Sequence, residues 1–213
     1  MNWPKMNIDF RINATKKIKQ QKEEYYDKLR ELDRLVQITR AYHQRTSQKE
    51  RKLSQIQNTD IKLASLVPFF AEKHQIIINA NDVRQIRAAI IWSVKNDLKI
   101  AISGGKDSWM IPELLVKHNI PVILQHVQSL PSRRFEPIHL PYKIPAILQK
   151  NGVKFCLATN QGYPFNGHVR TLPNEAMRAS SWGLSKEAAL RSITLSTNSL
   201  IILTIGIILF LTY

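Results

Sequence analysis

The stretch KIAISGGKDSWMIPELLVK, Lys99 to Lys117, joins two segments of different hydrophobic pattern through a pair of glycines. Its first part, IAIS, is a short uncharged run of the kind found in buried strands. The segment after the glycines is amphipathic, with Asp107 or Ser108 near its start, and predicts a helix. Gly104 and Gly105 provide the backbone freedom that a tight strand-to-helix turn needs. The stretch therefore predicts one βα unit.

Similar units flank this stretch on both sides. Strand–helix alternation at roughly 20 to 30 residues per unit is typical of parallel βαβ architecture. The sequence therefore predicts an α/β protein with a parallel sheet. Further strands are predicted in QIIINA (75–80), IPVILQ (120–125) and VKFCLAT (153–159). Further helices are predicted in 81–97, capped by Asn81 or Asp82; in 143–152, stopped by Gly152; in 173–183; and in 185–195, capped by Ser185.

The two ends of the chain have a different composition from the middle. Apolar residues at helical spacing predict one long polar helix from Thr15 to about Arg45, followed by a polar linker, 46–60, and a short helix through Leu66. The last segment, Leu200 to Tyr213, is uncharged over 14 residues, fewer than the roughly 18 to 20 of a spanning helix. It predicts a buried strand or helix, or a short membrane-associated tail. We divide the chain into 1–66, 67–198 and 199–213.

The composition limits the class of partner. The chain has 31 Lys and Arg against 16 Asp and Glu, a net charge of +15, which favours anionic partners in general. The basic residues are spread along the chain instead of forming one block, so we predict a basic surface and no specific nucleic-acid partner. The single cysteine, Cys156, lies in an apolar run and is predicted to be a buried thiol. No signal peptide is visible at the start of this sequence.

The hexapeptide SGGKDS, residues 103–108, resembles the SGGxDS signature of the ATP-pyrophosphatase (PP-loop) family. In that reading, Lys106 and Ser108 lie near a bound phosphate, which backbone N–H groups and a helix N-terminus hold. In that family the loop usually follows the first strand, whereas here an earlier βα unit precedes it. The same residues also suit an ordinary tight βα turn, and that alternative stays open.

Longer segments carry a second resemblance. These are the βαβ stretch 80–124; the segment LPSRRFEPIHLPYKIPAILQKNGVKFCLAT, 130–159; and VRTLPNEAMRASSWGLSKEAALRSITL, 169–195. In order and spacing they resemble the imidazolonepropionase-like branch of the amidohydrolase superfamily. The polar helix near the N-terminus resembles an insertion that members of this branch carry. The resemblance extends over about residues 2–198.

This resemblance implies an incomplete (β/α)₈ TIM-type barrel of about four βα units, with a long N-terminal helical insertion. It implies a parent activity, hydrolysis of C–N bonds in a small-molecule substrate such as a cyclic amide, that depends on Zn²⁺ or a similar divalent metal. The site of such a barrel lies at the carboxyl ends of its strands. Members of this branch are often exported, and the sequence leaves the localisation of this chain open.

The same resemblance places four residues at the family's metal-ligand positions. They are Asn79, Gly104 and, on the last strand, Asn160 or Gln161. Neutral amides are weak ligands for Zn²⁺ and glycine offers no side chain, and the sequence contains no His-x-His pair. We therefore predict no bound metal and a truncated or degenerate amidohydrolase-family protein that is inactive as this chain.

Three residues after the third predicted strand are candidate substrate contacts. His126 follows that strand directly, where a barrel mouth is expected. Arg133 and Arg134 suit an anionic substrate group. A simple loop histidine and ordinary surface charges are the alternatives, and both stay open.

Two other functions remain alternatives: a PP-loop enzyme that uses ATP, and a non-catalytic basic interaction module. The half-barrel interpretation further predicts self-association through open sheet edges. It also predicts weak membrane association through Leu200–Tyr213.

Overall fold

A computed structural model of the chain describes residues 14–49, 60–70, 74–125, 127–159 and 168–194. Seven α-helices and four strands lie in these ranges, with strands and helices alternating from residue 76 onward. The helices are α1 (Ala14–Lys49), α2 (Ile61–Phe70), α3 (Val83–Lys95), α4 (Pro112–Lys117), α5 (Leu140–Lys150), α6 (Leu172–Ser181) and α7 (Lys186–Ile193). The strands are β1 (Ile76–Ala80), β2 (Ile100–Gly104), β3 (Val122–Gln125) and β4 (Phe155–Ala158), and short 3₁₀ helices span Ser108–Met110 and His168–Thr171.

The four strands form one parallel sheet in the order β1-β2-β3-β4. Each strand therefore pairs with the next one along the chain, without a reversal. A doubly wound sheet reverses its strand order at a switch point, whereas a (β/α) barrel keeps chain order. Because βαβ crossovers are right-handed, chain order brings the connecting helices to the same face of the sheet. The predicted α/β class is confirmed, and the strand order is consistent with part of a barrel.

The two faces of the sheet differ in composition. Alternate residues such as Ile78, Ile102 and Val122 are fully buried and belong to the main hydrophobic core. That core includes Ile90 of α3 and Leu148 of α5, so this is the helix-covered face. Because strand residues alternate between faces, the intervening residues lie on the opposite face, which is partly polar. It carries Asn79, Ser103 and Gln125 near the carboxyl ends of the strands, together with Ala101 and Cys156.

Most predicted helix ends are confirmed, because they depend on local contacts. Asp82 caps α3: its carboxylate accepts from the Arg84 N–H at 2.8 Å, and the Gln85 side chain completes a capping box. Gly152 follows α5 with φ of +73°. Ser185 caps α7 by accepting from the Ala188 N–H.

Three predicted boundaries differ in the structure. The long helix α1 continues to Lys49, into the predicted linker, and α2 runs past Pro68 to Phe70, so the boundary after residue 66 falls inside a helix. The helix predicted from residue 106 is instead a three-residue 3₁₀ turn followed by α4, which starts at Pro112. Pro112 at the first helical position suits a new helix start. The division of the chain into three segments stays a prediction.

Helix α1 packs against α3 as well as α2. Asp33 accepts hydrogen bonds from Trp92 Nε1 at 2.9 Å, Lys95 Nζ at 2.7 Å and Asn96 Nδ2 at 3.2 Å. The hydrogen bond from Lys95 is the largest of the effects that lower the Asp33 pKa. Val36, on the same helix, is fully buried. These contacts join the polar helix to the βα units.

The apolar tail Leu200–Tyr213 and residues 50–59 lie outside the described residues. Among the helices of the described ranges, none combines the length and apolar character needed to cross a membrane. Cys156 is confirmed as a buried residue, 1% exposed, on β4.

Candidate functional site

The candidate site lies where the parallel strands end, the edge at which barrels and other parallel sheets bind ligands. Three loops meet there: the turn after β1, the Gly104-Gly105 turn after β2, and the segment 127–139 between β3 and α5, which we call the β3–α5 loop. Hydrogen bonds between the first two turns hold them together. The Gly105 N–H donates to Ala80 O at 2.9 Å, and the Asp107 N–H donates to Asn81 O at 3.0 Å.

Both glycines of SGGKDS are required by the backbone. Gly104 has φ of +94°, and a Cβ there would lie 2.5 Å from Asn81 Oδ1. Gly105 has φ of +61°, and a Cβ there would lie 2.6 Å from Val122 Cγ1. Positive φ is strained for a residue with a side chain, and both positions also lack space. The two glycines therefore have a structural role that does not involve a phosphate.

Asp107 connects all three loops. It is 3% exposed, and its Oδ2 accepts from the Val83 N–H, in the first turn of α3, at 3.1 Å. Its two carboxylate oxygens also accept from the two terminal nitrogens of Arg133, the Oδ1 contact being 3.1 Å. This two-point arrangement is the strong geometry of an Arg–carboxylate pair. Of the two residues predicted near the start of the following helix, Asp107 makes no side-chain cap bond there.

Arg133 bridges a second carboxylate. Its Nη1 lies 2.5 Å from Glu136 Oε1, and Glu136 Oε2 accepts from the N–H groups of Ser132 at 3.0 Å and Arg133 at 3.1 Å. Burial raises the pKa of Glu136, but the hydrogen bonds from Arg133 outweigh it, so that the pKa lies below its ordinary value. The hydrogen bonds to Asp107 and Glu136 raise the Arg133 pKa. We refer to Asp107, Arg133 and Glu136 as the ion-pair cluster.

A narrow cavity lies beside the ion-pair cluster. It is lined by Gly104, Lys106, Trp109, Gln125 and Glu136, among others, and its volume is about 20 Å³. Such a volume holds an ordered water, whereas small-molecule sites have roughly 300 Å³ or more. The Lys106 side chain is exposed. Within the described ranges, the cavity does not offer room for a nucleotide.

Of the predicted metal-ligand positions, the structure describes Asn79 and Gly104, which lie near the carboxyl ends of the neighbouring strands β1 and β2. Asn79 is exposed on the partly polar face, in register with Ser103 of β2. Gln125 Nε2 donates to Ser103 Oγ at 2.9 Å. Gly104 lies at the end of β2 and presents no side chain. Three predicted site residues, His126, Asn160 and Gln161, lie outside the described residues.

The two predicted arginines have different environments. Arg134 is exposed, which leaves it available to a partner. The Arg133 side chain is 27% exposed, and both its terminal nitrogens face carboxylates. Arg133 therefore serves to hold the loop, and the prediction that it contacts an anionic substrate is not supported by these contacts.

The described residues do not fit a hydrolytic metal. The Asn79 amide is a weak ligand, and Gly104 cannot be replaced by a ligand-bearing residue without a clash with Asn81. The carboxylates of Asp107 and Glu136 are engaged by Arg133 and by backbone N–H groups. In the described part of the chain, no group of three or more His, Cys, Asp or Glu side chains is placed to hold a metal ion.

Sequence reasoning missed two carboxylates of this region. Glu136 was not singled out, although its spacing of three residues from Arg133 is a local signal for an ion pair. Glu175, on α6, is 5% exposed and accepts from the Gln128 N–H at 2.9 Å, a contact over 47 positions of sequence that leaves no local pattern. Together these carboxylates fix the β3–α5 loop near its start, at Gln128, and in its middle, at Arg133.

Comparison with known proteins shows a distant likeness of fold. No protein-family model matches the chain, and no curated protein sequence matches it. Among solved structures, the chain is similar to the crystal structure of an amidohydrolase from Thermotoga maritima MSB8, with a TM-score of 0.65 and 19% sequence identity. The match covers 81% of this chain and 43% of that structure. The chain thus has an amidohydrolase-like fold and spans less than half the length of the protein it matches.

Proposed function

We propose that this chain forms four βα units of an amidohydrolase-type barrel and does not itself carry out the hydrolysis. The observation that carries the proposal is the strand order: four parallel strands pair in chain order, as in a barrel. The likeness to the Thermotoga amidohydrolase supports the same assignment at the level of the fold. The imidazolonepropionase-like branch is the finer part of the proposal and rests on the sequence segments quoted above.

The parent activity in this proposal is hydrolysis of a C–N bond in a small molecule, in which the metal activates water and polarises the carbonyl. This chain supplies a neutral amide at Asn79 and no side chain at Gly104, the two described ligand positions. Its buried carboxylates are engaged by Arg133. The proposal therefore assigns the carboxyl-end loops a structural role and makes the chain degenerate with respect to catalysis.

An activity measurement tests the proposal. The full chain is incubated with Zn²⁺, Mn²⁺ or Co²⁺ and a panel of cyclic amides, and ring opening is followed by absorbance. We expect the rate of ring opening with the chain to equal the rate with the metal alone under the same conditions. An active amidohydrolase is the positive control. Saturable, metal-dependent hydrolysis that Asn79→Ala abolishes would contradict the proposal, because it would make Asn79 part of a working site.

Self-association through the sheet edges and membrane association through Leu200–Tyr213 stay predictions. The tail lies outside the described residues. A PP-loop activity and a basic interaction module stay the alternatives, and the contacts around SGGKDS support neither of them.

A further inference from the structure

In the β3–α5 loop the Glu136 side chain is buried, whereas three large apolar side chains are exposed. Leu130 is 75% exposed, Phe135 is 81% exposed and Ile138 is 70% exposed. The side chain of Glu136, which follows Phe135, is 5% exposed. Single exposed apolar residues are common, but three on one loop of thirteen residues mark an interaction surface.

Hydrogen bonds hold the loop in the conformation that exposes these three side chains. Arg133 and Glu136 anchor the middle of the loop to Asp107. The Gln128 N–H donates to the buried carboxylate of Glu175, and the Leu140 N–H donates to Pro137 O at 2.9 Å, at the start of α5. A loop that is already ordered loses little conformational entropy when it binds. The three apolar side chains are therefore presented to the solvent in advance of any partner.

The exposed charges flanking the three apolar residues are cations. Between residues 127 and 150, Glu136 is the only carboxylate, and its side chain is buried against Arg133. The exposed Arg134 lies beside Phe135, and Lys143 lies in the second turn of α5. Lys106 lines the same cavity as Leu130. An anionic partner is therefore favoured on this side of the molecule.

We propose that the β3–α5 loop inserts Leu130, Phe135 and Ile138 into the headgroup layer of an anionic lipid membrane. Exposed apolar side chains on a loop beside exposed cations suit insertion into an anionic lipid surface. The flanking cations attract an anionic surface, and the net charge of +15 adds a long-range attraction. This proposal rests neither on the Leu200–Tyr213 segment nor on the proposed function.

A site-specific label tests this placement in the full chain. Phe135→Cys is labelled with the environment-sensitive dye NBD and mixed with vesicles of phosphatidylcholine, alone or with phosphatidylserine. The matched control is Ile91→Cys, a position 57% exposed on α3. The native Cys156 is 1% exposed, and the unsubstituted chain measures its background labelling. We expect a blue shift and an increase in emission at position 135 with the phosphatidylserine vesicles, and little change at position 91.

Vesicle co-sedimentation supplies a second readout. Phe135→Ser/Ile138→Ser is expected to lower the partition coefficient onto phosphatidylserine vesicles by about tenfold or more, because each side chain contributes apolar burial. Ile91→Ser is expected to leave it unchanged. Added salt is expected to weaken binding by screening. No emission change at position 135 with vesicles, or the same change from raised protein concentration without vesicles, would overturn the proposal; the latter would assign the loop to self-association.

Discussion

At the scale of single residues, one guanidinium group organises the carboxyl end of the sheet. Arg133 contacts Asp107 from the β2 turn and Glu136 from its own loop. Asp107 in turn accepts from the first turn of α3. Both carboxylate side chains are about 95% buried, so their desolvation is offset only while Arg133 remains between them.

Replacing Arg133 by alanine is expected to lower the free energy of unfolding by about 3 kcal/mol, because removing one member of a buried pair leaves uncompensated charge. The adjacent Arg134→Ala is the matched control. Arg134 is exposed, so its replacement is expected to change stability by less than about 0.5 kcal/mol. Urea unfolding followed by circular dichroism measures both. Equal effects of the two substitutions would mean that the ion-pair cluster does not stabilise the fold.

The ion-pair cluster also predicts a pH dependence. The Glu136 pKa is lowered from its ordinary value of 4.5 in the folded chain, so this group stabilises the fold above that pH and ceases to do so as the pH falls through the folded-state pKa. Glu136→Gln cannot titrate and is expected to show a shallower loss of stability as the pH falls below about 4.5. Arg134→Ala keeps the partners of Glu136 and is expected to follow the unsubstituted chain. If the stability of Glu136→Gln falls with pH as steeply as that of the unsubstituted chain, Glu136 is not the source of the pH dependence.

At the scale of elements, the turn after β2 combines a backbone requirement with a packing requirement. Gly105 and Gly152 have similar positive φ, +61° and +73°, but differ in their surroundings. A Cβ at Gly105 would meet Val122, whereas one at Gly152 would meet nothing within 4 Å. The two positions therefore separate the cost of positive φ from the cost of a clash.

Gly152→Ala is expected to lower the free energy of unfolding by about 1 kcal/mol, the cost of positive φ alone. Gly105→Ala is expected to lower it by roughly 2 to 4 kcal/mol, because overpacking against Val122 adds to the same backbone cost. Thermal and urea unfolding of the two variants measure the difference. A smaller loss for Gly105→Ala than for Gly152→Ala would contradict the described turn.

The same turn bears on nucleotide binding. The Asp107 carboxylate is committed to Val83 and Arg133, and the adjacent cavity is too small for a nucleotide. We therefore expect no ATP binding at micromolar concentrations by isothermal titration calorimetry. Micromolar affinity that Lys106→Ala abolishes and Arg134→Ala retains would instead favour the PP-loop alternative.

The sequence predicted the elements whose signals are local. The Asp82 cap contacts a residue two positions away, and Gly152 follows directly on its helix, so residue types and short spacings were sufficient. Asp107 contacts Val83 and Arg133 over 24 and 26 positions. Such pairings follow from the order of the strands in space, and a single sequence does not encode them in a visible pattern. The same distance in sequence explains why the pairing of Arg133 with Asp107 was not predicted.

At the scale of the whole molecule, the proposed function rests on the parallel sheet, whose four strands pair in the order in which they occur along the chain. The alternation of strands and helices predicted the α/β class, and the four predicted strands are those observed. The pairing order required the structure, since alternation alone suits both barrels and doubly wound sheets. The candidate metal site was only partly testable, because Asn160, Gln161 and His126 lie outside the described residues.

Metal stoichiometry tests the central claim most directly. The full chain is produced in medium supplemented with Zn²⁺, desalted, and analysed by elemental mass spectrometry against its protein concentration. The account predicts far less than one metal ion per chain, because Asn79 offers only a weak neutral ligand, Gly104 has no side chain, and Arg133 engages the carboxylates of Asp107 and Glu136. About one tightly bound metal ion per chain, reduced by Asn79→Ala but not by Ile91→Ala, would contradict the account.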